Sequence, residues 1–294
     1  MTVLEAIIMG IIQGITEFLP VSSSGHLALY QHFILGGATQ ANFYMSLVVH
    51  LGTLVAVCAA FRKTLLLLLK EVVLIAKDVW KRKFKWSEMN GTRRMLIMLA
   101  ISTLVLVPFY IFLRERLEEL TQTPNPITVG FCFLLTSFLL FMADLRSHGE
   151  KKARDITVAN SIVVGLFQVV ALLPGISRSG STVSGGLFCG FNREIAVRYS
   201  FIMGIPAILG GCVTELRGAF DFADPEQTIS FIPCAAAFVT AALVGLLAIN
   251  LVTYVAKNAK FKMFAYYTLI IGVVVICAGF LEFLFNFKIS DFFV

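Results

Sequence analysis

Hydrophobic positions along the chain gather into long apolar runs separated by short polar breaks. Six runs, at 41–61, 95–113, 127–143, 195–216, 231–255 and 263–285, have the length of membrane-crossing helices, because a span needs about 20 mostly apolar residues. Two further apolar segments, 2–35 and 157–191, are interrupted. The first contains Leu19-Pro20-Val21-Ser22-Ser23-Ser24-Gly25-His26, the second Pro174-Gly175-Ile176-Ser177-Arg178-Ser179-Gly180-Ser181-Thr182. Proline, glycine and a run of hydroxyl residues end a helix. Non-helical backbone survives at membrane depth only when protein or a water-filled cavity surrounds it. Both segments are therefore predicted as re-entrant helical hairpins that enter and leave on the same side.

The two interrupted segments are related. At an offset of 155, Ile7, Gly10, Gln13, Ser22, Ser24 and Gly25 align with Ile162, Gly165, Gln168, Ser177, Ser179 and Gly180. Each is followed by three predicted spans, and an odd number makes the second copy enter the membrane from the opposite side. The pattern predicts an all-α polytopic membrane protein built as an inverted-topology repeat, with a first repeat over 1–145 and a second over 156–294.

Composition agrees. Of 294 residues, 58% are hydrophobic and 14% charged, against roughly 25% charged in a soluble domain. A soluble enzyme, a disordered protein and a nucleic-acid binder are excluded, although a net charge of +6 alone would suit the last. The charge reads instead against a membrane. The stretch 62–94 holds ten Lys/Arg, 146–155 holds Arg146, Lys151, Lys152 and Arg154, and 256–262 holds Lys257, Lys260 and Lys262. The opposite loops carry Arg114, Arg116 and Arg217 as their bases, with Asp221, Asp224 and Glu226. The basic side is expected to be cytoplasmic, which turns both termini and the mouth of the first hairpin outward. The six cysteines lie in apolar stretches without a C-x-x-C pair and read as small buried hydrophobes.

Charges within apolar segments are costly and mark function. Gln13 and Glu17 are four apart, on one helix face, and Ser22, Ser23, Ser24 and His26 follow. The second hairpin carries Arg178 among Ser177, Ser179, Gly180, Ser181 and Thr182. At the repeat offset Glu17 meets Leu172, Ser23 meets Arg178 and His26 meets Ser181. One copy thus supplies a carboxylate, a hydroxyl and an imidazole, and the other a guanidinium. Arg178 is a five-donor fork suited to phosphate or carboxylate, and broken helices favour anions through free N–H groups. A carboxylate beside a phosphate signals a bridging divalent cation or a proton acceptor, and Ser23 with His26 could be a nucleophile and its base. The reading is phosphate hydrolysis at a membrane-embedded site. His50, inside the span 41–61, reads as a helix–helix hydrogen bond.

The stretch from Gln13 to Leu27 resembles the (E/Q)xxxE-plus-Ser-His motif of the bacterial undecaprenyl-diphosphatases, the bacitracin-resistance family. Pro174 to Thr182 resembles the family's PGxSRSGxT motif, and His50-Leu51-Gly52-Thr53 and the placement of spans also match. Some members carry Glu where this chain has Gln13. The resemblance implies two re-entrant hairpins among six spans and hydrolysis of undecaprenyl diphosphate to the monophosphate carrier for peptidoglycan. It also implies a magnesium or calcium ion, a homodimer among membrane lipids, and a site on the outer, periplasmic side of the bacterial cytoplasmic membrane. Carried over, Glu17 would hold the metal or take a proton. Ser23 would attack phosphorus, with His26 as base or acid, and Arg178 would clamp the diphosphate. Gln13, Ser22, Ser24, Ser177, Ser179, Gly180 and Thr182 would bind substrate. The competing reading is a transporter that carries a polyprenyl phosphate through the same inverted-repeat site.

Overall fold

The computed structural model describes residues 2–35, 40–122, 125–146, 149–221, 230–258 and 261–292. Asp224, Glu226 and Lys260, used above for orientation, lie outside them, and only the backbone of Arg114, Arg217 and Asp221 is described. Eleven α-helices run through the described residues: α1 Val3–Phe18, α2 Ser23–Phe33, α3 Gln40–Ala60, α4 Arg62–Trp80, α5 Gly91–Gln122, α6 Pro126–Leu145, α7 Val158–Val170, α8 Arg178–Phe188, α9 Arg193–Asp221, α10 Phe231–Asn258 and α11 Lys262–Phe285.

Helices α5, α6, α9, α10 and α11 are long and apolar enough to cross a membrane. A sixth crossing is supplied if α3 counts with α4, to which it is joined through an 82° bend. The chain is an all-α, multi-pass integral membrane protein. Its outer surface is apolar, with Leu104, Ile111, Phe112, Leu243, Leu247 and Phe283 exposed, while Gln13, Glu17, Ser102, Thr136 and Ser137 are buried. That distribution suits a lipid surround, where polar groups must find partners inside. By contrast α2 and α8 have 11 residues each. At 1.5 Å per residue each reaches roughly 16 Å, about half the hydrocarbon thickness. The two interrupted segments are hairpins of short helices, as their breaks predict.

The hairpins are held by opposite partners. α1 lies along α10, α7 along α5, α3 against α9 and α6 against α11. Small residues set the approach. A Cβ on Gly10 would stand 2.7 Å from the Ala237 carbonyl of α10, and one on Gly165 would stand 2.8 Å from the Ser102 carbonyl of α5. Hydroxyls add cross-links. Ser102 Oγ donates to the Ser161 carbonyl at 2.7 Å and pairs with Tyr199 OH at 2.8 Å, tying α5, α7 and α9. Ser137 Oγ donates to the Ala265 carbonyl at 2.7 Å, tying α6 to α11. Such bonds contribute about 0.6–2 kcal/mol each within a membrane.

The basic stretch 62–94 is not a plain loop. Its first half is the helix α4, whose Leu68 and Glu71 are buried while Leu66, Leu69, Val73 and Trp80 are exposed. Lys63, Lys70 and Lys77 recur every seven residues along one side, and they lower the mean hydropathy enough to hide the helix. α4 is clasped to the start of α5. Arg93 Nε reaches Glu71 at 2.9 Å and its Nη1 reaches Asp78 at 2.8 Å, while Asn90 Nδ2 donates to Glu71 at 2.8 Å. The Asn90 amide and the Arg93 guanidinium between them engage both Glu71 oxygens. The chain's two tryptophans, Trp80 and Trp86, flank this clasp. Tryptophan emission of the detergent-solubilised protein therefore reports on the clasp. Arg93→Ala should shift it at neutral pH; emission identical to wild type would show that the clasp does not hold α4.

Candidate functional site at the junction of the two hairpins

The breaks build the site. α1 stops at Phe18 because Pro20 lacks an N–H and pushes the residue before it out of helical geometry; Leu19 is extended at φ −63°, ψ 140°. Ser22 then caps α2, its Oγ accepting from Gly25 N at 3.1 Å. It does so at φ 74°, a conformation rare outside glycine. In the second hairpin Gly175 supplies the left-handed turn at φ 97°, and Ser177 caps α8 by accepting from Gly180 N at 3.0 Å. Thr2 and Thr157 form capping boxes at the starts of α1 and α7. Each hairpin then grips the break of the other. Ser24 Oγ accepts from Gly175 N at 3.2 Å, and Ser179 Oγ donates to the Leu19 carbonyl at 3.1 Å.

Glu17 sits at this junction with 7% of its surface exposed. Its Oε2 accepts from Gln13 Nε2 at 3.0 Å and from Ser23 Oγ at 2.7 Å. Its Oε1 accepts from Arg178 Nη2 in a close ion pair. The guanidinium lies across Gly204 of α9, where a Cβ would occupy its place. A cavity of about 440 Å³ opens here, lined by Glu17, Ser23, His50, Gln168 and Arg178, with apolar walls from α5 and α9. A donor-rich, partly apolar chamber next to a buried guanidinium suits an anionic headgroup on an apolar tail.

The expected site residues divide. Glu17, Ser23, Ser24, Ser177, Arg178 and Ser179 line the cavity, and Gln13 bonds to Glu17 from behind. Ser22 and Gly180 serve the helix caps. Thr182 Oγ1 turns to α9, 2.6 Å from Ser200 Oγ, and donates to the Arg178 carbonyl at 2.8 Å. His26 and Ser23 are not hydrogen-bonded to each other. His26 Nδ1 lies 2.7 Å from the Ser22 carbonyl, which can only accept, so Nδ1 donates and Nε2 accepts from Tyr267 OH at 2.7 Å. The ring also stacks on Tyr267 at 5.7 Å and meets the edge of Phe133. Ser23 instead donates to Glu17. The contributions of three residues are not visible in the sequence. His50 bonds within its own helix to Ser46 at 2.8 Å and lines the cavity. Gly204 signals its role by an absence of side chain, and Gln168 is marked only by its alignment with Gln13.

No group of three or more His, Cys, Asp or Glu side chains stands close enough to hold a metal among the described residues. Both Glu17 oxygens already accept from Gln13, Ser23 and Arg178. The residues present do not fit a cation site built by the protein alone. A magnesium or calcium ion there would need diphosphate oxygens as further ligands.

A family model described as bacitracin resistance protein BacA matches residues 6–274. The chain is 34% identical to the undecaprenyl-diphosphatase of Alkaliphilus metalliredigens over 94% of its own length and 98% of that protein's. It is 33% identical to undecaprenyl-diphosphatase 4 of Bacillus thuringiensis strain Al Hakam, covering 93% and 96% of the two chains. It is 34% identical to the undecaprenyl-diphosphatase of Methanosphaera stadtmanae, covering 93% and 97%.

Gly204→Ala should dislodge Arg178 and leave the Glu17 carboxylate buried without its cation, lowering stability by about 3 kcal/mol. Gly210→Ala on the same helix meets open space and should be neutral or slightly stabilising. Thermal unfolding in detergent reads both. Equal melting temperatures for the two variants would show that Gly204 does not position the guanidinium.

Proposed function

We propose that this chain, which belongs to the bacitracin resistance protein BacA family, is a membrane-embedded phosphatase that hydrolyses undecaprenyl diphosphate to undecaprenyl phosphate and inorganic phosphate. The observation that carries the proposal is the single Glu17 carboxylate holding both the Ser23 hydroxyl and the Arg178 guanidinium at one cavity. The relatives' name, undecaprenyl-diphosphatase, supports the substrate. Nothing in those names favours a lipid carrier.

The entering diphosphate competes for the Arg178 fork, whose planar donors match phosphate oxygens. As the guanidinium turns to phosphate, the Glu17 carboxylate is left to accept the Ser23 proton. Ser23 Oγ bonds to the terminal phosphorus, the anhydride P–O bond breaks, and the lipid monophosphate leaves with the bridging oxygen. Water then attacks the phosphoserine, inorganic phosphate departs, and Ser23 regains its proton. The first turn of α8, with Ser177 and Ser179, offers further donors to the charge that develops on the phosphoryl oxygens. His26 is a positioning residue in this reading: it fixes the Ser22 carbonyl, and with it the start of α2, against Tyr267 of α11.

The two hairpins are read as equivalent parts of the two halves, 1–145 and 156–294, of an inverted repeat. The matched Ser22 and Ser177 caps, the reciprocal Ser24–Gly175 and Ser179–Leu19 bonds, and the exchange of α10 for α5 as hairpin partners support it. The Lys/Arg asymmetry supports a bacterial cytoplasmic membrane with the cavity facing the periplasm, where the released carrier serves peptidoglycan synthesis and bacitracin resistance. A homodimer belongs to the same proposal.

Ser23→Ala should lower phosphate release from the C55 diphosphate by at least about 10³-fold while substrate affinity stays within a few-fold of wild type. Substantial turnover by this variant would reduce Ser23 to a phosphate ligand. For orientation, Ser87→Cys and Ser230→Cys in a cysteine-free background should differ in intact cells. An impermeant thiol reagent should label the second and spare the first; the reverse pattern would invert the topology.

A further inference from the structure

Gln168 is the most anomalous polar side chain outside the residues assigned so far. It lies in the last turn of α7, 2% exposed. Neither its Nε2 nor its Oε1 has a hydrogen-bond partner. Buried amides without partners are uncommon, because burial strips water from both groups. The repeat explains how this one arose. Its counterpart Gln13 has a carboxylate four residues on, and Nε2 donates to Glu17 at 3.0 Å. Four residues beyond Gln168 stands Leu172, so the second hairpin offers the amide nothing. A group with only packing to do would be served by Leu or Met. Gln168 instead lines the cavity that holds Glu17, Ser23 and Arg178.

We infer that Gln168 is a substrate-binding residue, its Nε2 donating to a non-bridging oxygen of the diphosphate headgroup alongside the Arg178 fork. A carboxamide suits this role because it gives two N–H donors and adds no charge to a site whose buried guanidinium is already paired with Glu17. The inference deepens the phosphatase reading and rests on it for the identity of the headgroup. It also separates two demands on the site. Arg178 is engaged by Glu17 when no substrate is bound, whereas Gln168 is free to meet the headgroup first.

The test uses the full-length protein in detergent, with methylene diphosphonate as a non-hydrolysable probe. Binding is read by inhibition and by the probe-induced rise in melting temperature. Gln168→Leu should weaken the probe about 10–100-fold, and Gln168→Glu, which sets a carboxylate against the phosphonates, should weaken it more. The probe-free melting temperature of Gln168→Leu should equal or exceed that of wild type, because an unpartnered polar group is replaced by an apolar one. If Gln168→Leu fails to fold, Gln168→Met carries the same comparison. Unchanged probe affinity in these variants, or no probe binding by wild type, overturns the assignment. The two proposals fail separately. Probe binding that depends on Gln168 in a protein releasing no phosphate from the C55 diphosphate would leave the assignment standing and remove the phosphatase. Phosphate release with probe affinity unmoved by Gln168 would do the opposite.

Discussion

One buried ion pair organises this molecule. Glu17 sits at the end of α1 in the first hairpin and Arg178 begins α8 in the second, 161 residues apart in the chain, and they meet where neither can be hydrated as in bulk water. A buried charge without its partner costs several kcal/mol, so each hairpin needs the other to be tolerable at this depth. The surrounding devices serve that meeting. Proline and glycine end the helices at the right level, serine caps satisfy the first turns, and reciprocal serine bonds fix one break against the other. Gly204 leaves the guanidinium its place.

In the proposed function the same pair has a chemical consequence. A carboxylate that holds both a hydroxyl and a guanidinium links anion binding to hydroxyl activation: an incoming phosphate that engages the guanidinium alters what the carboxylate can do for the hydroxyl. In this proposal the two events are thereby joined through one side chain, to which the Ser23 hydroxyl donates. In the proposed function the apolar walls contributed by α5 and α9 would face the lipid tail and the polar junction would face the headgroup.

Much of this is legible in the chain. Run lengths mark the spans, breaks containing Pro20 and Pro174 mark the hairpins, and the cost of intramembrane charge singles out Glu17 and Arg178. What is not legible has physical causes. Helix α4 is hidden because Arg62, Lys63, Lys70, Glu71, Lys77 and Asp78 lower the mean hydropathy of its apolar run, although the seven-residue spacing of the lysines leaves one face to pack. The spacing of Ser23 and His26 gives proximity without direction, and His26 is claimed by Tyr267, 241 residues away in the chain. The part played by Gly204 is the space it leaves for a side chain from another helix, which no local pattern encodes. Gln168 is visible as the mate of Gln13, but its significance depends on Leu172 replacing a carboxylate and on a cavity that only the folded chain defines.

The most direct test of the central claim is chemical capture of the phosphoryl group. Purified protein turning over a C55 diphosphate labelled in its terminal phosphate would be quenched in acid within a few turnovers, digested, and mapped by mass spectrometry. The account predicts a labelled phosphoryl group on the peptide containing Ser23, and none when Arg178 is replaced by alanine. Phosphate release accompanied by label on His26, or by label on no residue at any quench time, would contradict it.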